Sequence, residues 1–138
     1  MQVLHTEIPI RASSEIIWKT LVVSPSIPKE IRNAIRDRKI GQTLSVPMST
    51  GGRSANLTVK LLIVDPCREI RWKGFFRVPG LFDGEHSFEI LEEQEGMTRL
   101  VQRETFTGLL LPSLSSATKH KFKMTNASIR DTAEQSVL

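Results

Sequence analysis

The sequence predicts an α+β fold in which a curved antiparallel sheet of six to seven strands is closed over by one long C-terminal helix. Three observations carry this expectation. Residues 41 to 107 keep a hydrophobic period of two, and from Pro112 onward the period changes to three and four. A first strand precedes the meander and is separated from it by two short helical stretches. At 138 residues the chain suffices for one domain, residues 1–138, with one sizeable core; no internal repeat or low-complexity segment divides it.

The first strand alternates: Leu4, Ile8 and Ile10 share one face, and His5, Glu7 and Arg11 the other. Ala12-Ser13-Ser14 then offers a hydroxyl N-cap. Ile17, Trp18, Leu21 and Val22 follow at helical spacing, with Trp18 expected to serve packing alone, until Ser24-Pro25-Ser26 breaks the pattern. Pro28 suits the first position of a second short helix reaching about Arg36, with Ile31 and Ile35 as its apolar pair.

In the meander, Leu44, Val46 and Met48 alternate with polar neighbours up to the turn Thr50-Gly51-Gly52. Leu57, Val59, Leu61 and Ile63 form the next face, ended by Asp65-Pro66. Ile70, Trp72, Gly74, Phe76 and Val78 share a phase that stops at Pro79-Gly80. His86, Phe88 and Ile90 continue it, and Gln94-Glu95-Gly96 closes a hairpin to a last strand from Thr98 to Thr107. Beyond Pro112 one stripe of Leu114, Thr118, Phe122, Asn126, Ile129 and Ala133 marks a helix of about five turns or more.

Composition narrows the function classes. A hydrophobic share of 39% and a charged share of 25% are those of a globular chain, not a disordered one. Cys67 is the lone cysteine, so no internal disulfide forms. The opening residues lack the apolar core of a signal peptide, and no run reaches a membrane span. The dense patch Leu109-Leu110-Leu111 is cut short by Pro112; it reads as a buried connection into the helix, the alternative being part of a cavity entrance or a membrane contact. No stable membrane insertion and a cytoplasmic location are expected. A net charge of +4 and a pI of 9.6 raise the question of nucleic acid. The clusters Arg32, Arg36, Arg38, Lys39 and Lys119, His120, Lys121, Lys123 carry no interleaved aromatics, and no nucleic-acid motif accompanies them, so they read as solvated charge.

The meander needs a cover, and one helix cannot fill the whole of a curved face, so a cavity is expected between them. Pairing Ile90 with Leu100 sets Phe88 opposite Gln102 and His86 opposite Glu104 on the inward phase, which Phe106 continues. Arg99, Val101, Arg103 and Thr105 are left for solvent. Gln102, Glu104 and His86 thus stand where a core would hold aliphatic residues, and Asn126 interrupts the helix stripe in the same way. Buried polar groups cost about 1–3 kcal/mol each unless hydrogen-bonded, so a partly hydrated pocket with polar fixing points is expected. His86 and Glu104 form either part of a site or a structural pair. Asn126 either faces the ligand or bonds the helix to a strand. Trp72 and Phe122 belong first to the core and second to the pocket wall.

The motifs Ile70-Arg71-Trp72-Lys73-Gly74, Gly84-Glu85-His86-Ser87-Phe88-Glu89, Glu104-Thr105-Phe106-Thr107-Gly108-Leu109-Leu110, Met124-Thr125-Asn126-Ala127 and Ala133-Glu134 together resemble the SRPBCC, or START-like, superfamily. The chain looks closest to its polyketide cyclase/dehydrase group, which is related to the birch-pollen-allergen-like proteins. The resemblance covers nearly the whole chain and implies a helix-grip fold with a deep apolar cavity for lipids, sterols or polyketide-like rings. Many members of that group carry Trp-Asn-Pro near the pocket mouth, where this chain has Ile27-Pro28-Lys29-Glu30-Ile31-Arg32-Asn33.

Two functions follow. As a cofactor-independent cyclase, dehydratase or isomerase of secondary metabolism, the chain would use Glu104 as general base and His86 as general acid, with Gln102 or Asn126 polarising a carbonyl. As a carrier or sensor of a hydrophobic metabolite, it would use the same groups only to orient its ligand. In both, Trp72, Phe88, Gln102, Phe106, Phe122 and Asn126 contact the ligand. No cofactor motif and no metal-ligand spacing among His5, His86 and His120 is present.

Overall fold

The computed structural model describes residues 1–50, 53–76, 83–108 and 116–138. The Gly51-Gly52 turn, Val78, Pro79-Gly80, Leu109-Leu110-Leu111, Pro112 and Leu114 lie outside the described residues. The element order is β1 (Gln2–Ile10), α1 (Ser14–Leu21), α2 (Lys29–Arg36), β2 (Thr43–Thr50), β3 (Arg53–Asp65), β4 (Glu69–Phe76), β5 (Asp83–Gln94), β6 (Met97–Thr107) and α3 (Ser116–Gln135). Among the described residues the strands form one antiparallel sheet of six in the order β1-β6-β5-β4-β3-β2. The meander supplies five of them, and β1 adds itself beside β6. The sheet therefore ends in β1 on one side and β2 on the other, and each of these edge strands carries an exposed proline, Pro9 and Pro47.

Local chemistry explains the helices. Ser13 caps α1, its hydroxyl accepting from the Ile16 N–H at 3.3 Å, and Ile17 and Leu21 are its fully buried pair. Pro28 sits at the N-cap of α2, one place ahead of its expected position, and Ile31, Ala34 and Ile35 face inward. The C-terminal half of α3 is locked to the start of the chain. Ile129 and Ala133 are buried in the main core, and Glu134 Oε2 accepts from the Arg11 N–H at 2.8 Å. Each large apolar side chain buried in that core contributes about 1.5–3 kcal/mol.

The register fixes what faces the helix, because residues paired across an antiparallel ladder share a face. One row runs Thr6, Gln102, Phe88, Ile70, Val64; the next runs Leu4, Glu104, His86, Trp72, Leu61; the third contains Phe106, Gly84, Gly74, Val59 and Leu44. The β5–β6 register is the one expected, with Ile90 opposite Leu100. In β3 a bulge between Leu61 and Ile63 changes the phase: Val64, not Ile63, lies opposite the buried Ile70 and packs on the core, while Ile63 pairs with Arg71 on the outer face. On that outer face Val101 is buried rather than solvated. Its ladder partners are Glu7 and Glu89, whose long side chains flank a small apolar one. Ion pairs occupy much of this face, including Arg71 with Glu69 (2.7 Å) and Glu85 (3.2 Å), and Arg99 with Glu7 (2.9 Å).

Candidate functional site

The rows of the sheet explain where space remains. At the end of the inner face toward Ile90 and Leu100, the residues are large and closely packed beneath α1 and α3. At the other end the third row holds two glycines side by side, Gly84 and Gly74. Neither contributes a side chain, so the neighbours lean over them. Leu57 Cδ2 lies 2.8 Å from where a Cβ of Gly74 would stand, and Glu104 Oε1 lies 2.9 Å from that of Gly84. Between this hollow and the first half of α3 there is a cavity of about 530 Å³.

Its wall is mostly apolar, from Val46, Leu57, Val59 and Trp72 on the sheet, Pro25, Pro28 and Ile31 around α2, and Phe122 and Met124 on α3. Its polar groups are Ser26, His86, Gln102, Glu104, Lys121 and Thr125. Of the residues expected to meet a ligand, the structure brings Trp72, His86, Gln102, Glu104 and Phe122 to this cavity and leaves three away from it. Phe88, in the first row, is 1% exposed and packs in the main core. Phe106 joins Leu4 and Phe122 in a small separate cluster. Asn126 turns toward β1: its Nδ2 donates to Thr6 Oγ1 at 2.9 Å, and Thr6 donates in turn to the Gln102 carbonyl at 3.3 Å. Of the two arrangements open to Asn126, the structure has the helix-to-strand bond.

The polar floor is one connected group. His86 Nδ1 is 3.1 Å from Glu104 Oε2, and Gln102 Nε2 is 3.1 Å from His86 Nε2. A neutral imidazole has one N–H. Placed on Nδ1, it donates to the carboxylate, and Nε2 then accepts from the Gln102 amide, so both bonds are satisfied at once. The ring is held between aromatic faces. Trp72 stacks on it with centroids 4.7 Å apart at an interplanar angle of 6°, while Phe88 and Phe122 approach at 5.1 Å. The side chains of His86 and Glu104 are only 12% and 20% exposed.

Two acceptor sites remain after these bonds. Glu104 spends Oε2 on His86 and keeps Oε1 over Gly84. Gln102 Oε1 is buried and has no hydrogen-bond partner among the described residues. Both ring nitrogens of His86, by contrast, are engaged within the protein. His86, Gln102 and Glu104 all border the cavity, with the Gln102 amide oxygen itself buried. Among the described residues no group of three or more His, Cys, Asp or Glu side chains comes together to hold a metal ion. No helix of the described residues is long and apolar enough to cross a membrane.

Pro25, Ser26, Val46, Leu57, Val59, Lys121, Met124 and Thr125 are wall residues that the sequence does not single out. Those on the sheet were visible as inward-phase residues, but nothing in a strand pattern separates a cavity wall from a core. Lys121 and Thr125 stand one position before Phe122 and Asn126, on the flank of the stripe rather than within it.

No protein-family model and no curated protein matches the sequence. Solved structures match it over almost its full length. Protein CV1439 from Chromobacterium violaceum aligns at a TM-score of 0.67 and 10% identity, over 97% of this chain and 99% of its own. A Thalictrum flavum norcoclaurine synthase point mutant in complex with a transition-state analogue aligns at 0.66 and 12%, over 99% and 96%. Ara h 8.0201 aligns at 0.60 and 14%, over 99% and 97%. At these identities the likeness is one of fold: the chain has the helix-grip fold of these proteins.

Proposed function

We propose that the chain binds an apolar small molecule of polyketide, terpenoid or lipid type in the cavity beneath α3 and exchanges a proton with it through Glu104. One observation supports this above the others. A mostly apolar cavity of a size that takes a small ligand has at its floor the Glu104 carboxylate, with one oxygen not spent on His86, and the Gln102 amide, whose buried oxygen has no partner among the described residues. Trp72 and Phe122 flank the apolar body of the ligand. Gln102 Oε1 accepts from a hydroxyl or amine on it, and Glu104 Oε1 takes a proton from a carbon or oxygen nearby. His86 fixes the carboxylate from behind, as a positioning residue rather than as an acid acting on the ligand. No cofactor enters this scheme. That one protein of this fold, norcoclaurine synthase, is a synthase supports the capacity of the fold for chemistry, not the identity of the reaction.

A second reading, a carrier or sensor of a hydrophobic metabolite, is favoured by the engagement of both His86 ring nitrogens within the protein, by Glu104 and Gln102. Native mass spectrometry of the purified protein after exposure to a cell extract separates the two. A bound species changed by loss of water or by rearrangement supports an enzyme. A bound species identical to one in the extract supports a carrier, and an empty protein refutes both. With a turned-over ligand in hand, Glu104→Gln should lower turnover about 10²–10⁴-fold and leave binding in place. Equal loss of both would reduce Glu104 to a structural partner of His86.

A further inference from the structure

A second hollow, of about 460 Å³, lies between α1, α2 and the β3–β4 turn and shares no residue with the cavity beneath α3. Its apolar floor includes Trp18, Ile35 and Val64. Around them stand four cations, Lys29, Arg32, Arg36 and Arg38, and no acidic residue lines the space. Three of the four belong to α2 at positions 29, 32 and 36, the spacing that puts them along one side of the helix. The acidic residues of this region, Glu30 and Asp37, line a different hollow with Ala34 and Leu44.

The charges are unequally occupied. Arg36 is paired with the neighbouring Asp37 through two bonds of 3.0 and 3.2 Å. Arg32 has only a long bond from Nη1 to the Val23 carbonyl, 3.4 Å, and its Nε is buried with no partner among the described residues. A buried guanidinium N–H without an acceptor is costly, and an anion supplies the acceptor in its strongest form. An anion with nothing attached would leave the apolar floor wet. An apolar molecule without charge would leave the Nε–H of Arg32 without an acceptor among the described residues.

We infer that this hollow is a binding site for an amphipathic anion: a molecule whose apolar body lies against Trp18 and Ile35 and whose carboxylate, sulfonate or phosphate reaches Arg32, with Lys29 and Arg38 supplying field at the rim. The site is separate from the one proposed beneath α3 and does not depend on it.

The two tryptophans report on the two sites independently, Trp18 here and Trp72 beneath α3. The test is titration of the ¹⁵N-labelled chain with 1-anilinonaphthalene-8-sulfonate, following the two indole N–H signals, which Trp18→Phe assigns. The sulfonate should move the Trp18 signal saturably. Arg32→Gln should weaken that response at least five-fold, and neither the uncharged N-phenyl-1-naphthylamine nor inorganic phosphate should reproduce it. A response confined to Trp72, an equal Trp18 response to the uncharged probe, or no loss in Arg32→Gln would each overturn the inference. Should Arg32→Gln not fold, the exposed pair Lys29→Gln with Arg38→Gln carries the same expectation of weakened binding.

Discussion

Replacing Gly84 with alanine separates the stability of the sheet from the geometry of the site. The added methyl would stand 2.9 Å from Glu104 Oε1, 3.8 Å from its Cδ and 3.7 Å from Phe106 Cδ1. Gly84 is not in the left-handed region of backbone space, so alanine adopts its conformation without strain. Reduced freedom of the unfolded chain then contributes about 0.4–1 kcal/mol in favour of the variant. Against this, the carboxylate must swing away, at about 0.5–1.5 kcal/mol if the Glu104 side chain leaves its rotamer. The bond to His86 that the swing breaks costs about 0.5–1.5 kcal/mol more, so the net loss is about 2.5 kcal/mol at most, which for a chain of this size lowers the unfolding temperature by roughly 10 °C at most. The 3.1 Å bond between Glu104 and His86 does not survive the swing. The unfolding temperature should therefore fall by no more than about 10 °C, while the ¹H–¹⁵N couplings of the His86 ring should report a changed tautomer or a mixture of tautomers. A fall of more than about 10 °C, which would mean that the carboxylate cannot move, or an unaltered ring pattern would refute the reasoning.

Two further variants probe the framework around the site. Asn126→Ala removes a 2.9 Å bond but leaves Thr6 its bond to the Gln102 carbonyl, so urea unfolding should show a loss of about 1 kcal/mol. Asn126→Asp sets a carboxylate at a buried position with no cation among its hydrogen-bond partners and should cost about 3 kcal/mol or more; equal stability of the two variants would contradict the placement. Burial, with Glu15 adding to it, pushes the Cys67 thiol above its ordinary range, so less thiolate is present at any given pH. Iodoacetamide should modify the folded chain more slowly than the urea-unfolded chain at neutral pH, with the gap closing as pH rises through the thiol range. A folded-state rate equal to the unfolded one at neutral pH would show the thiol unprotected.

The β5–β6 hairpin was readable because its turn is tight. Gly96 adopts φ +76° between two strongly patterned strands, and past one extra residue at Glu93 the pairing runs without a break from Glu92 opposite Thr98 back to His86 opposite Glu104. The β3–β4 pair was not fully readable, because the single extra residue at Leu62 changes no composition yet reverses the face of Ile63 and Val64. Pairing of β1 with β6 joins residues about a hundred positions apart, and periodicity says which face of β1 is apolar but not which strand it will meet. For the site, alternation identified the row that holds Glu104, His86 and Trp72. It could not distinguish Phe88, one row further toward the packed end, from those three, since both rows have the same phase. The decisive feature, two glycines meeting across β4 and β5, emerges only when the strands are aligned. Separately they read as breaks in two patterns.

The prolines at the two ends of the sheet bear on how copies of this chain meet one another. An unpaired strand edge invites a neighbouring molecule to continue the ladder, and repeated continuation is how fibres grow. On β1 an incoming strand would meet Pro9, and on β2 it would meet Pro47, neither of which has an N–H to donate. The exposed Glu7 adds charge to the first of these edges. Each described edge of the sheet thus lacks a donor at one position, which works against a neighbouring copy continuing the ladder there.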